Sequence, residues 1–552
     1  MKLFRSISAL MAAPLLSLVL YSCHRDVLED FPEEPEITME ELNPQVVSSF
    51  SIPMYQIYQS LAETTKASLR SGANEEEDES VLKWAQAQMD ALYKMAEQKA
   101  LEDAGISPDD AHGKLQSLTP AILAILESIL LKAQVMTYTT LGADGKTIQS
   151  SMLVAWPWNP ILPNPHPDHV ILGCHATVTS DKQRPTNYSD LPLQTDVRII
   201  VGEWASKAIV VELGSAIYNL IASPVQCLVV MPDYEGYGNT STKPHPYLNR
   251  ELQGRQCVDA ALAALQWYEA NEKSLNDNYK TVSVGYSQGG AISAASYRYW
   301  LEHKTRYSKL NYAGAVCGDG PYDPYATLKL YVSRNEMEMP CAPALVLKGM
   351  VDSDKEMLAA GARLEDYLTP DFIATGIFDA SATNRYKTDD LDDMVRAYAI
   401  KNPGTLRYNR SGNVLAETVL NPATFAYFKN GTLPADKDMA DKLVLLKHCL
   451  RKNALNFKKD DQDWLPPTGA KFSFFHSPLD IVVPYDNLTS VKQSWGDNSN
   501  RCRYIKYEAN IPSHSDVGTQ FMLECMVGEV YLLLQEEWSA KSFSMSDTQW
   551  TP

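Results

Sequence analysis

Thr281-Val282-Ser283-Val284-Gly285-Tyr286-Ser287-Gln288-Gly289-Gly290 decides the fold. Its β-branched, alternating start reads as a buried strand. Ala291-Ile292-Ser293-Ala294-Ala295-Ser296, just beyond, reads as a helix. Strand, Gly-x-Ser-x-Gly, helix is the signature of a nucleophile elbow, a turn so sharp that the serine backbone is strained and the hydroxyl stands above the sheet. Gly285 and Gly289 leave room for strand and helix to cross closely. The helix N-terminus beneath Ser287 offers N–H groups to a developing oxyanion. A glycine-rich turn with an incidental serine is the alternative, and the context on both sides favours the nucleophile.

Outward from the elbow, strand-like runs fall at 135–140 and 148–156, joined by a Gly-Ala-Asp-Gly-Lys turn that signals a hairpin. Further runs fall at 170–174, 227–231, 312–317, 472–476 and 502–507, and helix-like segments near 215–222, 250–270 and 521–534 lie between or after them. A hairpin followed by alternating strands and helices predicts an α/β fold. Its sheet is mostly parallel and eight-stranded, with helices on both faces and the elbow on the fifth strand. The core therefore spans 135–320 and 471–552. The stretch 321–470, with helix-like segments at 355–367, 391–400 and 440–449, is too long for a loop and reads as a helical cap over the pocket. Residues 37–134 read as a helical N-terminal region. Val46, Phe50, Met54, Ile57, Tyr58 and Leu61 fall near a 3.6-residue period, as do Val81, Trp84, Met89, Leu92 and Met95, and a third helix is expected at 122–131. The acidic run 75–79 reads as part of a loop between the first two.

The formal net charge of −19 over 552 residues excludes a polyanionic partner, so no nucleic acid is expected. At the N-terminus, Lys2 and Arg5 precede an apolar run at 10–20 that is short for a membrane span. Leu20-Tyr21-Ser22-Cys23 follows, which looks like a bacterial lipobox. Residues 1–22 then form a lipoprotein signal peptide, Cys23 carries the lipid, and the acid-rich stretch 23–36 is a solvated tether. This predicts an exported, membrane-anchored lipoprotein of the outer membrane; a plain signal peptide is the alternative. The eight other cysteines contain no CxxC pair, so no zinc or redox motif is expected, and no disulfide pairing is assigned.

A serine nucleophile needs a base, and the base needs an orienting acid, here in the chain order Ser, acid, His. The candidates after Ser287 are His303, His448, His476 and His514. His303 ends the elbow helix. In His476-Ser477-Pro478-Leu479-Asp480, the aspartate lies just past a strand end, which leaves His514 as the base. The rival acid is Asp352, at the end of the strand-like run 344–352, with His448 or His476 as its base. His476 otherwise reads as a neighbour packed under the acid loop. Oxyanion donors are expected from the backbone of Gln288 and from Ala176 or Thr177 after the third strand, with His175 a candidate pocket residue.

The runs 230–238, 285–290 and 476–485, with 310–315 before Gly318, resemble the secretory lipase family of α/β-hydrolases, best known from fungi. The resemblance covers about 135–538. It implies a Ser287, Asp480, His514 triad, a helical cap in the insertion, a polar residue (here His175) helping the oxyanion hole, and ester hydrolysis without cofactor or metal. Three functions compete. The first is a carboxylic-ester hydrolase acting on a small, lipid or polysaccharide-linked ester. The second is a serine exopeptidase, whose amine-binding acid could be Glu336, Glu338 or Asp390. The third is a non-catalytic binding protein on the same scaffold.

Overall fold

The computed structural model describes residues 37–545 apart from 72–74, 112–113, 163–165, 188–226, 459–461, 497–499, 509–513 and 522–524. Cys23, the signal peptide, the tether and the helix expected near 215–222 lie outside the described residues.

The strands are β1 (Gln45–Pro53), β2 (Leu130–Leu141), β3 (Thr147–Trp158), β4 (His169–Cys174), β5 (Cys227–Pro232), β6 (Thr281–Tyr286), β7 (Tyr312–Gly318), β8 (Phe472–His476), β9 (Cys502–Tyr507) and β10 (Phe543–Met545). They form one ten-stranded sheet in the order β1-β2-β3-β5-β4-β6-β7-β8-β9-β10. Pairing is antiparallel from β1 through β3 to β5 and parallel from β5 to β10. Two strands beyond the expected eight cap the edges. Consequently the elbow follows the sixth strand, not the fifth.

β1 corrects the helical reading of 37–134. Residues 45–53 pair antiparallel with β2, with a bulge between Val46 and Ser48. The helices of that region are α1 (Met54–Ser71), α2 (Glu75–Asp103) and α3 (Leu115–Ser128). The acidic run thus opens α2 and is not a loop, in keeping with carboxylates at a helix N-terminus. The third helix ends at Ser128, and residues 130–134, the end of the region read as helical, belong to β2.

Each face of the sheet is covered by helices. On one, Ile122 and Leu126 of α3 share a core with Ile171, Val229, Val282, Val316, Phe475 and Ile505, joined by Phe521 and Leu533 near the C-terminus. On the other lie α4 (Arg250–Asn271) and α5 (Gln288–Glu302), whose Val258, Leu262, Leu265, Ile292 and Ala295 are buried. Full burial of one such aliphatic side chain stabilises by about 1.5–3 kcal/mol, so these two layers hold the elbow from both sides.

Between β7 and β8 the chain makes α6 (Pro324–Arg334), α7 (Cys341–Ser353), α8 (Thr388–Lys401) and α9 (Lys437–Lys452), with shorter helices between them. These carry their own apolar cluster, including Leu328, Leu345, Phe372, Leu391, Val395 and Leu446. The run 344–352, read as a strand, is the body of α7. α10 (Asp486–Trp495), α11 (His514–Gln520) and α12 (Met526–Leu534) complete the described helices of the C-terminal part. All eight cysteines from Cys174 onward are buried.

Candidate active site

Ser287 sits between β6 and α5 with φ 56° and ψ −124°, a left-handed backbone that a serine adopts only under constraint. Its N–H donates to Gly318 O at 2.9 Å. The constraint comes from the crossing of strand and helix. A Cβ on Gly289 would lie 2.0 Å from Cys174 O, and one on Gly285 would lie 2.4 Å from the same oxygen. Only glycine permits that approach, so the sequence pattern and the strain on Ser287 have one cause.

Asp480 lies four residues beyond β8 and is buried. Its Oδ1 accepts the N–H groups of Val482 and Val483 at 2.9 and 2.8 Å, and its Oδ2 lies 2.5 Å from His514 Nδ1. Burial works against its charge. The His514 imidazole, His476 and the Val483 N–H outweigh it and hold the carboxyl below the usual aspartate range. His514 opens α11 with its side chain about 15% exposed. With Nδ1 turned to Asp480, its Nε2 is a buried nitrogen with no hydrogen-bond partner among the described residues. Tyr286, the residue before Ser287, donates its hydroxyl to His514 O at 2.7 Å and stacks its ring 5.0 Å from the imidazole. The end of β6 is thereby bound to the start of α11.

The competing assignments fall elsewhere. Asp352 is on α7 in the insertion, ion-paired with Lys348 one turn earlier, because an apolar run of that length suits a buried helix as well as a strand. His448 faces Glu356 on the insertion. His303 bonds back to Tyr299 O on its own helix. His476 is fully buried under the acid loop with Nε2 donating to Val483 O at 2.8 Å, and burial pushes its pKa down to about 4.

Of the expected oxyanion residues, Gln288 is the first residue of α5. Its side-chain Nε2 donates to His245 Nε2 at 3.0 Å, and His245 Nδ1 in turn donates to Glu235 O at 2.6 Å. His175 does not offer its ring to the pocket. It is fully buried, stacked on Tyr234 at 4.0 Å, with Nδ1 2.7 Å from Ala176 O and Nε2 3.2 Å from Asp233 O. Its ring supports the loop that carries Ala176.

Three residues not singled out by the motif reading adjoin this centre: Asp319, Tyr286 and His245. Asp319, Asp480 and His476 bring donor atoms within 4.8 Å of one another. Apart from His476 Nδ1, which has no hydrogen-bond partner among the described residues, their atoms are committed to Ser477 N–H, Val482 N–H, Val483 N–H, Val483 O, Tyr286 and His514. That is a hydrogen-bonded proton network and not an open ligand set. Gly318-Asp319-Gly320, an acid between glycines at a strand's carboxyl end, was the signal available for the first of them.

No family model and no curated protein sequence matches the chain. Solved structures do. The rice cell wall degrading esterase LipA from Xanthomonas oryzae matches at 18% identity and TM-score 0.52, over 74% of this chain and 92% of that one. A proposed hydrolase from Legionella pneumophila matches at 18% identity and TM-score 0.51, over 78% and 96%. Candida antarctica lipase A matches at 14% identity and TM-score 0.48, over 75% and 81%. With its order of strands, its helices on both faces and its strained serine after β6, the chain has the α/β-hydrolase fold.

Proposed function

We propose that this protein is a serine hydrolase of carboxylic esters, with Ser287 as nucleophile, His514 as base and Asp480 as the acid that orients it. The 2.5 Å contact of His514 Nδ1 with Asp480 Oδ2, tied through Tyr286 to a serine held at φ 56°, carries this reading. Asp480 accepts the Nδ1 proton, which leaves the lone pair on Nε2 to take the proton of Ser287 Oγ. The serine oxygen then attacks the ester carbonyl. Backbone N–H groups of Gln288 and of the loop at Ala176 receive the oxyanion. Collapse expels the alcohol, protonated by His514, and leaves an acyl-serine. Water, activated by the same imidazole, frees the acid and restores Ser287. No cofactor enters these steps.

The helical insertion is the proposed cap and the place where the acyl group is selected. The structural neighbour from Xanthomonas, described as a rice cell wall degrading esterase, favours polysaccharide-linked esters among the substrate candidates. The test is hydrolysis of p-nitrophenyl acetate, butyrate and palmitate by the wild type and by Ser287→Ala. Ester turnover lost in the variant is expected, and equal rates in both would end the proposal.

A serine exopeptidase is the second reading, and Glu338 favours it. Among the three acids considered for binding an amine, Glu336 is bonded to Asn409 and Asp390 caps α8. Burial and the Asp480 carboxylate raise the pKa of Glu338, against the His514 imidazole, which lowers it. Cleavage of aminoacyl-p-nitroanilides, lost in Glu338→Gln, would favour the peptidase. We also propose lipid attachment at Cys23 and export to the outer membrane, on the N-terminal pattern alone. Metabolic labelling with a fatty-acid probe, abolished by Cys23→Ala, tests this.

A further inference from the structure

Asp319 closes the turn after β7 and is fully buried. Its Oδ1 accepts Ser477 N–H at 2.9 Å, its Oδ2 lies 3.1 Å from the Tyr286 hydroxyl, and its carboxyl hydrogen-bonds that of Asp480. Two carboxyl groups in such contact hold a proton between them. The other partners say which one carries it. Asp480 already accepts three N–H donors, from His514, Val482 and Val483. Tyr286 has one proton for two acceptors, His514 O at 2.7 Å and Asp319 Oδ2 at 3.1 Å, and the shorter contact is the one to His514. His476 donates its Nε2 proton to Val483 O, so its Nδ1, 3.6 Å from Asp319 Oδ1, presents a lone pair. Tyr322, the remaining titratable group that senses Asp319, is buried and neutral. Among the described residues Asp319 thus faces the Asp480 carboxylate and the His476 Nδ1 lone pair, against the Ser477 N–H and a shared Tyr286 proton, whereas Asp480 has three N–H donors. Burial and the Asp480 charge raise its pKa well above the aspartate range, against the Ser477 N–H and the Tyr286 hydroxyl, which lower it.

We propose that Asp319 is a positioning residue, a neutral carboxylic acid that donates its proton to the Asp480 carboxylate and so limits how strongly Asp480 stabilises a charged His514. The inference rests on the triad reading above. A donor to Asp480 reduces its basicity and leaves His514 readier to lose the proton it takes from serine.

The test is the pH dependence, from 4.5 to 8.5, of the rate at which a fluorophosphonate labels the full chain. Wild type, Asp319→Asn, Asp319→Leu and Asp319→Ala are compared, with Ser287→Ala as control. Asn keeps a neutral donor, so its acid limb should coincide with that of the wild type. Leu and Ala remove the donor, and their limbs should move up by about one pH unit. An acid limb in Asp319→Asn that falls below the wild type would mean that Asp319 is ionised. Limbs in Leu and Ala that coincide with the wild type would make it packing only. Either result overturns the inference. If Leu and Ala do not fold, the Asn comparison still tells a neutral Asp319 from an ionised one. Absence of Ser287-dependent labelling would count against the hydrolase and not against Asp319. The low-field Nδ1 proton resonance of His514 then decides: unchanged in Asp319→Asn and moved further downfield in Leu or Ala if the inference holds, unmoved in all if it does not.

Discussion

The Tyr286 hydroxyl donates to the backbone carbonyl of His514 at 2.7 Å, joining the residue before the strained serine to the residue proposed as its base. The bond crosses from β6 to α11, and the tyrosine ring continues into the core against Phe521 at 5.7 Å. Removing the hydroxyl should leave packing intact and loosen only the imidazole. Tyr286→Phe is expected to fold as the wild type and to lose about tenfold in kcat with little change in KM, the size of one buried hydrogen bond. Steady-state kinetics on a p-nitrophenyl ester check this, and an unchanged kcat would remove Tyr286 from the site.

Asp480 and Asp352 were rivals at the level of sequence, and their surroundings separate them. Asp480 is buried against His514, whereas Asp352 pairs with Lys348 on an insertion helix. Asp480→Asn should lower kcat by about 10³ to 10⁴, because the imidazole loses the partner that fixes its tautomer. Asp352→Asn should stay within about twofold, as expected for a partly exposed ion pair. The reverse order of effects would move the acid to the insertion.

How much was legible beforehand follows from how local each signal is. The elbow is written in five adjacent residues, because the clash with Cys174 O that demands Gly285 and Gly289 acts wherever strand meets helix at this angle. Asp480 was nominated because it lies just past a strand end, and His514 because the chain order then leaves it as the base. β1 was misread since Val46, Phe50 and Met54 happen to be spaced four apart, and only Ile52 of the strand's apolar residues is buried; an edge strand shows little alternation. Asp319 went unassigned because its role depends on Tyr286, Ser477 and Asp480, which adjoin it only in the folded sheet.

Buried histidines make stability depend on pH with a definite sign. His245 donates Nδ1 to Glu235 O and accepts Gln288 Nε2 at the other nitrogen, so its neutral ring is satisfied, and burial pushes its pKa down to about 4. In the unfolded chain the ring titrates near 6.5. Between those values the unfolded state binds the extra proton. The contribution is therefore present above about pH 6.5 and is lost as pH falls toward 4, by roughly 3 kcal/mol. Asp233, raised to about 6 mainly by burial, has the opposite sign: its contribution fades as pH rises through that value. His245→Gln should accordingly flatten the fall in urea midpoint between pH 6.5 and 4 by the equivalent of one proton. A slope equal to that of the wild type would mean that the ring is charged in the fold.

Asp323 bears on whether the insertion opens. It caps α6 at the point where the insertion leaves the core, accepting Ala326 N–H at 3.0 Å on Oδ1. Its Oδ2 accepts Arg451 Nη1 at 3.1 Å from the far end of the insertion and Ser490 Oγ at 2.5 Å from α10 of the core. Leu455 N–H, just past the insertion's last long helix, donates to Tyr322 O at 2.7 Å, and Arg298 of the elbow helix donates to Leu455 O at 2.8 Å. Entry and exit are thus fastened to each other and to the core, and a rigid swing of the whole insertion has to break a partly buried ion pair and several hydrogen bonds together. Asp323→Asn keeps the volume and weakens the fastening. It should lower the melting temperature and expose the insertion to limited proteolysis ahead of the sheet. Wild-type rates on soluble esters should show no jump when the substrate passes its solubility limit, since the clamp leaves no closed lid for an interface to open. A sharp rise in wild-type rate at that limit, absent in Asp323→Asn, would show instead that the insertion works as a lid.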